Sequence, residues 1–220
     1  MRKWQALGIV PVAAMLLTGS VMAQEEGDDS GGESRIPAPS ECTVEPRAAD
    51  EVSSVLALDA EGIQAPALIT ITPPLGEVVD NDTRLAVQTV AREALACFNA
   101  GDIARATALM TENGIKRAYW GLTIDQASRD ETKSRLSSTP VPRPEDKSVR
   151  LLAVTDASTL PDGRVAAFVV INEPLLPPSG PETLLFVFAN QDGNWLIDDW
   201  VDFSIVPANY GTPEAATPTA

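Results

Sequence analysis

The hydrophobic pattern of this chain changes period twice. An apolar run covers Ala6 to Val21, apolar residues then recur at helical spacing between Asp80 and about Leu136, and from Val149 onward they fall into short strand-like runs. The first run follows Arg2 and Lys3 and ends in Val21-Met22-Ala23, the charge, apolar core and small-residue site of a secretory signal peptide cleaved after Ala23. An uncleaved membrane anchor is the alternative. Its 16 residues fall short of the usual span of about 20, and Gly8 and Pro11 disfavour a stable anchor helix. A lipoprotein signal needs a cysteine at the cleavage point, and the nearest, Cys42, lies well beyond it.

The helical region begins at Asp80-Asn-Asp-Thr83, which offers N-cap side chains ahead of a stripe formed by Val87, Val90, Ala94, Cys97 and Phe98. Asn99-Ala-Gly101 supplies a stop. Asp102 then caps a second helix with Ile103, Ala106, Leu109 and Met110 on one face. A short turn carries Ile115, Tyr119 and Trp120, and a more polar helix over Ile124–Leu136 precedes a crossing marked by Pro140, Pro142 and Pro144. Upstream, Ala48–Leu58 has modest helical character. Gly62, Pro66, Pro73, Pro74 and Gly76 then break any long element, leaving an extended arm in which Leu68–Thr72 alternates like one short strand.

Four strands are predicted after the prolines, over Val149–Thr155, Val165–Ile171, Leu184–Ala189 and Trp195–Phe203. Pro161-Asp-Gly-Arg164 and Gln191-Asp-Gly-Asn194 mark tight hairpins, because Asp-Gly accepts positive backbone dihedrals. Helices followed by an antiparallel meander define an α+β domain, with the helices covering one face of a curved sheet. The expected organisation is a signal peptide (1–23), a disordered linker (24–40), an extended arm with a short helix (41–79), the α+β domain (80–206) and a disordered tail (207–220).

Composition restricts the partners. The formal net charge is −15, and loss of Arg2 and Lys3 with the leader makes it −17. With no basic cluster to release counterions from a phosphate backbone, nucleic acid and anionic membrane are poor partners, and no further segment reads as a membrane span. The ordinary reading of the acidity is solubility outside the cell. The chain contains no His, which excludes Ser-His and Cys-His nucleophile pairs. No phosphate-binding glycine loop, dinucleotide fingerprint, paired-cysteine redox motif or internal repeat is present, and no cofactor is implied.

Two cysteines in an exported chain, Cys42 and Cys97, are expected to form a disulfide. Closing that 55-residue separation stabilises a fold by about 4 kcal/mol in the chain-entropy model. Two free buried thiols are the competing reading. A metal pair is weaker, since the spacing matches no zinc pattern and no metal ligand set is evident.

Cys97-Phe-Asn-Ala-Gly-Asp102, Asp162-Gly-Arg164 and the closing Gly193-Asn-Trp-Leu-Ile-Asp-Asp199 occur in an order and spacing that resembles the nuclear transport factor 2-like superfamily, over roughly Asp80 to Phe203. The resemblance implies a cone of helices and a strongly bent sheet around an apolar cavity, and it brings in polyketide-cyclase-like and ketosteroid-isomerase-like members. Their enzymes use an Asp, His or Tyr inside the cone. This chain departs from that pattern, having no His and no Tyr on its first long helix. A shared fold also does not confer a shared reaction.

Strict alternation on the last strand sets Trp195, Ile197, Asp199, Val201 and Phe203 on one face and Leu196, Asp198, Trp200 and Asp202 on the other. Asp199 is then a candidate general base, its pKa raised by desolvation, with Tyr119 as oxyanion donor. The alternative role for Asp199 is a hydrogen bond to backbone or Arg at the cone rim. Trp120, Trp195, Ile197 and Phe98 are the candidate cavity lining, Trp120 and Tyr119 having core closure as the alternative. Asp102 reads first as a cap, and Arg105 and Arg117 as partners of an anionic ligand or of nearby carboxylates. Asp198, Asp199 and Asp202 lack the glycine turn of a calcium loop.

Two function classes follow. The first is a non-catalytic exported binding or interaction domain, engaging a small apolar ligand or, through Trp200 on the outer sheet face, a second copy of itself. The second is an extracytoplasmic isomerase, cyclase or lyase built on Asp199.

Overall fold

The computed structural model describes residues 34–59, 76–174 and 180–202. All of them belong to the unit Gly31–Ala220. The predicted signal peptide, the Leu68–Thr72 strand, Phe203 and the C-terminal tail lie outside the described residues. Five α-helices are present among the described residues, α1 (Ala49–Val55), α2 (Asn81–Ala100), α3 (Ile103–Ala108), α4 (Glu112–Tyr119) and α5 (Gln126–Ser137). They precede β1 (Arg150–Thr159), β2 (Val165–Asn172), β3 (Pro181–Gln191) and β4 (Asn194–Asp202), which form one antiparallel sheet in the order β1-β2-β3-β4. This is the expected α+β arrangement.

Local chemistry accounts for the helix ends. Asp80 accepts the Thr83 N–H and Asp102 the Arg105 N–H, each satisfying an orphan donor of a first turn. Thr111 and Asp125 do the same for α4 and α5. Gly101 ends α2 at φ 69°, and a Cβ there would meet the Val141 carbonyl oxygen at 2.4 Å. Helix α2 buries Val87, Ala91, Ala94, Leu95 and Cys97 against the sheet, while Phe98 falls off that stripe and is 39% exposed.

The described residues ahead of α1 are more ordered than their composition implies. Arg35 exchanges both backbone hydrogen bonds with Leu151 on the β1 edge, and Pro37 accepts a hydrogen bond from Asn99. Residues 34–40, placed in the expected disordered linker, are therefore ordered, because an edge strand offers this polar segment backbone partners that its own side chains do not. Asn99, fully buried, also accepts the Val149 N–H and donates to the Val149 carbonyl, so one amide joins arm, helix and sheet. The Cys42–Cys97 disulfide forms and ties the arm to α2. Beside it Glu93 accepts from the backbone N–H groups of Thr43 and Val44.

The helix-facing side of the sheet carries Val165, Ala167 and Val169 on β2, Phe186 and Phe188 on β3, and Ile197 on β4. A smaller cluster, Leu160, Ala166, Leu185 and Val187, with Phe168 and Val201 packed on it, occupies the other side. Strict alternation fails on β4. Phe188 pairs with Ile197 but Val187 pairs with Asp199, so Asp198 is an extra residue, a β-bulge. Before it Trp195 and Ile197 face the helices. After it Trp200 faces them, stacked on Phe186 at 6.0 Å, and Asp199 and Val201 turn to the opposite side. The expected single face of Trp195, Ile197, Asp199 and Val201 is thus corrected, and so is the outward position expected for Trp200.

Candidate functional site

Two sites compete for function, a polar cluster at the β4 bulge and an apolar cleft at the start of the same strand. At the bulge, Asp199 is 1% exposed. One of its oxygens, Oδ1, accepts the Trp200 N–H at 2.6 Å and faces Arg117 Nε at 3.1 Å. Burial pushes its carboxyl above the ordinary aspartate range, with the Trp200 N–H and the Arg117 guanidinium pulling the other way. Asp198 accepts from Thr111 Oγ1 at 2.6 Å and from Arg164 at 2.8 Å. Arg164, also bonded to Asp162, is held firmly charged by both carboxylates.

This wiring is architectural. Thr111 caps α4, Asn113 donates to the Asp198 carbonyl, and a Cβ on Gly114 would meet the Ile197 carbonyl oxygen at 2.2 Å. Helix α4 therefore lies directly on the β4 backbone, and the carboxylates bolt it there. A base needs a reachable lone pair, and Asp199 is closed off from solvent, with an arginine and a backbone amide on Oδ1. Among the described residues, no group of three or more His, Cys, Asp or Glu side chains is arranged to hold a metal.

Tyr119 does not join Asp199. It is buried, and its hydroxyl is pushed up to about 12 by that burial, with Arg135 pulling it down and Asp102 adding to the rise. The four expected cavity residues also fail to converge. Phe98 is exposed beneath the Arg143 guanidinium, 3.8 Å from the ring centroid. Trp120 is 43% exposed on the 3-10 turn after α4, and Ile197 is sealed in the core. Arg105 pairs with Asp102 and donates to the Cys42 carbonyl, so it too is spent on structure.

Trp195 alone among the four lines a cleft. That cleft, about 740 Å³, runs between α2 and the β3–β4 hairpin. Leu85, Val90, Leu109 and Val44 make its apolar surface with Trp195, and Gln191, Asp192 and Asn194 its rim. Asp192 is the one ionisable side chain among its lining residues. Val44 reaches it because the disulfide and Glu93 hold the arm against α2. Leu85 carried a signal that the sequence reading passed over, as a large apolar residue beside rather than on the buried stripe of α2, 48% exposed. A second cleft of about 700 Å³ between α1 and α5 has a more charged lining, with Asp50, Asp59, Lys133 and three serines beside Ala49, Ala57 and Leu136.

The disulfide fits an extracytoplasmic protein. Among the described residues, no helix is long and apolar enough to cross a membrane. No family model matches the chain, and no curated protein or solved structure matches it.

Proposed function

We propose that this chain is an exported, non-catalytic binding domain whose ligand occupies the cleft between α2 and the β3–β4 hairpin. The observation that carries this reading is the cleft's chemistry: an apolar surface around Trp195, a polar rim, and a single ionisable side chain. Burial of an apolar ligand there is driven by water release and needs no charged catalyst. The nuclear transport factor 2-like cone remains part of the proposal, supported by helices packed on one face of an antiparallel meander.

Isomerase or lyase chemistry at Asp199 has the weaker support, since that carboxylate is enclosed and engaged by Arg117 and Trp200. Self-association through Trp200 loses its basis once that ring stacks on Phe186 beneath the helices. The test is titration of the mature, unreduced protein with N-phenyl-1-naphthylamine, an uncharged apolar fluorescent probe. Saturable binding that Leu85→Glu weakens at least tenfold supports the cleft. Binding indifferent to that change removes it.

A further inference from the structure

We infer that the natural occupant of this cleft is an extended peptide segment of a partner protein, apolar with cationic flanks, which adds to the edge of β4 at Trp195. This rests on the cleft reading above and goes further, from a cavity to the chemistry of what fills it.

The argument begins in the turn. Asp192 and Gly193 have φ of 53° and 88°, the two positive dihedrals of a type I′ hairpin, which makes Gln191 and Asn194 the closing hydrogen-bonded pair. Antiparallel pairs then alternate. Ala189 and Leu196 bond each other, while Trp195, opposite Asn190, and Ile197, opposite Phe188, direct their backbone N–H and C=O away from β3. At Ile197 the protein uses that edge itself. The Ile197 N–H donates to Leu109 and its carbonyl accepts from Thr111, both at 2.9 Å, so a piece of chain already adds to β4 in parallel.

Two residues earlier, at the same edge position, no backbone or side-chain group among the described residues bonds the outward N–H and C=O of Trp195. Trp195 lines the cleft together with Leu109 and with Leu85 and Val90 of α2, so its outward donor and acceptor lie beside these apolar walls. A small apolar molecule would cover the cleft walls and strand both groups away from water, which costs about 1–3 kcal/mol for each. An extended peptide satisfies both and lays one side chain into the apolar floor, the recognition mode of strand addition.

Charge selects among peptides. The cleft lining contains Asp192 and no Lys or Arg, and the whole chain carries −15. A cationic partner is therefore drawn in and an acidic one repelled. A second copy of this chain is disfavoured on the same ground, since two such edges would bring Asp192 and two acidic surfaces together.

The test is selection of random dodecapeptides displayed on phage against the mature, unreduced protein, followed by affinity measurement on synthetic, fluorescein-labelled winners. The expected winners are apolar and basic, lose at least tenfold on Leu85→Glu, and lose at least tenfold when one backbone nitrogen is methylated, with methylation at the adjacent position tolerated. Binding that ignores backbone methylation overturns strand addition. Failure to select any peptide, with the naphthalene probe still bound in a Leu85-sensitive way, overturns the peptide while leaving the cleft reading intact. Loss of both signals removes the two together, and concentration-dependent dimerisation abolished by Leu85→Glu assigns the edge to a second copy instead.

Discussion

The two halves of β4 share one strand and opposite fates. Up to Ile197 the strand packs Trp195 and Ile197 on the helices and, among the described residues, leaves the outward backbone groups of Trp195 without a partner beside an apolar cleft. Beyond Asp198 it carries the chain's most conspicuous polar groups, and each is engaged, Asp198 by Thr111 and Arg164, Asp199 by Arg117 and the Trp200 N–H. Carboxylates attract attention as chemistry, yet here they hold a helix to a sheet. The available valence lies in the half that looks plain. Buried polar groups are costly unless satisfied, so a fully satisfied cluster is the expected form of a structural joint, whereas a free backbone pair beside apolar walls is unfinished structure that a partner can complete.

Four experiments sharpen or break this contrast. The largest effect is expected from Cys42→Ser/Cys97→Ser, which removes the tie between arm and α2 and lowers unfolding free energy in urea by about 4 kcal/mol. Because Val44 is held by that tie, probe binding in the cleft should weaken under conditions where the protein is still folded. Retained affinity would mean that Glu93 alone suffices to fix the wall.

Arg117→Met acts on the other half and is expected to cost about 3 kcal/mol at pH 7, since it leaves Asp199 buried without its counter-charge. Burial already holds the folded-state pKa of Asp199 above its unfolded value, so its charged form opposes folding and stability falls as pH rises through that interval. The variant raises the folded pKa further. Its penalty should therefore shrink as the pH is lowered toward the ordinary aspartate value of 3.8, and a pH-independent penalty would refute the ion pair.

Asp198→Ala removes the acceptor shared by Thr111 and Arg164 and should cost about 2 kcal/mol in thermal or urea unfolding, with cleft binding unchanged. A parallel loss of probe affinity would show that the halves are coupled through the bulge. The smallest stability effect belongs to Leu85→Glu, within about 0.5 kcal/mol because the side chain is half exposed, although it should abolish most binding.

The elements were legible because their signals are local. Asp80 and Asp102 cap the helices expected of them, the Asp-Gly pairs sit in the hairpins, and the two cysteines pair. Even there context adjusted the detail. Only Gly163 takes a positive φ in the first hairpin, whereas Asp192 and Gly193 both do in the second. The candidate site was far less legible. Trp195 was found as an aromatic on the last strand, but Leu85 and Val90 become its neighbours only when α2 packs near β4, and Leu109 only when the residue after α3 bonds to Ile197. Asp199 was noticed for its odd position in an alternation that the bulge then broke.

By itself the sequence determined the order and type of the elements, their caps and turns, the disulfide pairing available to two cysteines, and the acidity that restricts partners. These depend on side chains within a few residues of one another or on composition alone. The bulge at Asp198, the capture of Asp199 by Arg117, the burial of Trp200 and the open edge at Trp195 were decided only in the tertiary structure. A strand's alternation constrains its faces only while its pairing stays in register. A one-residue shift, set by partners 34 and 87 positions away in Arg164 and Thr111, turns the following side chains over.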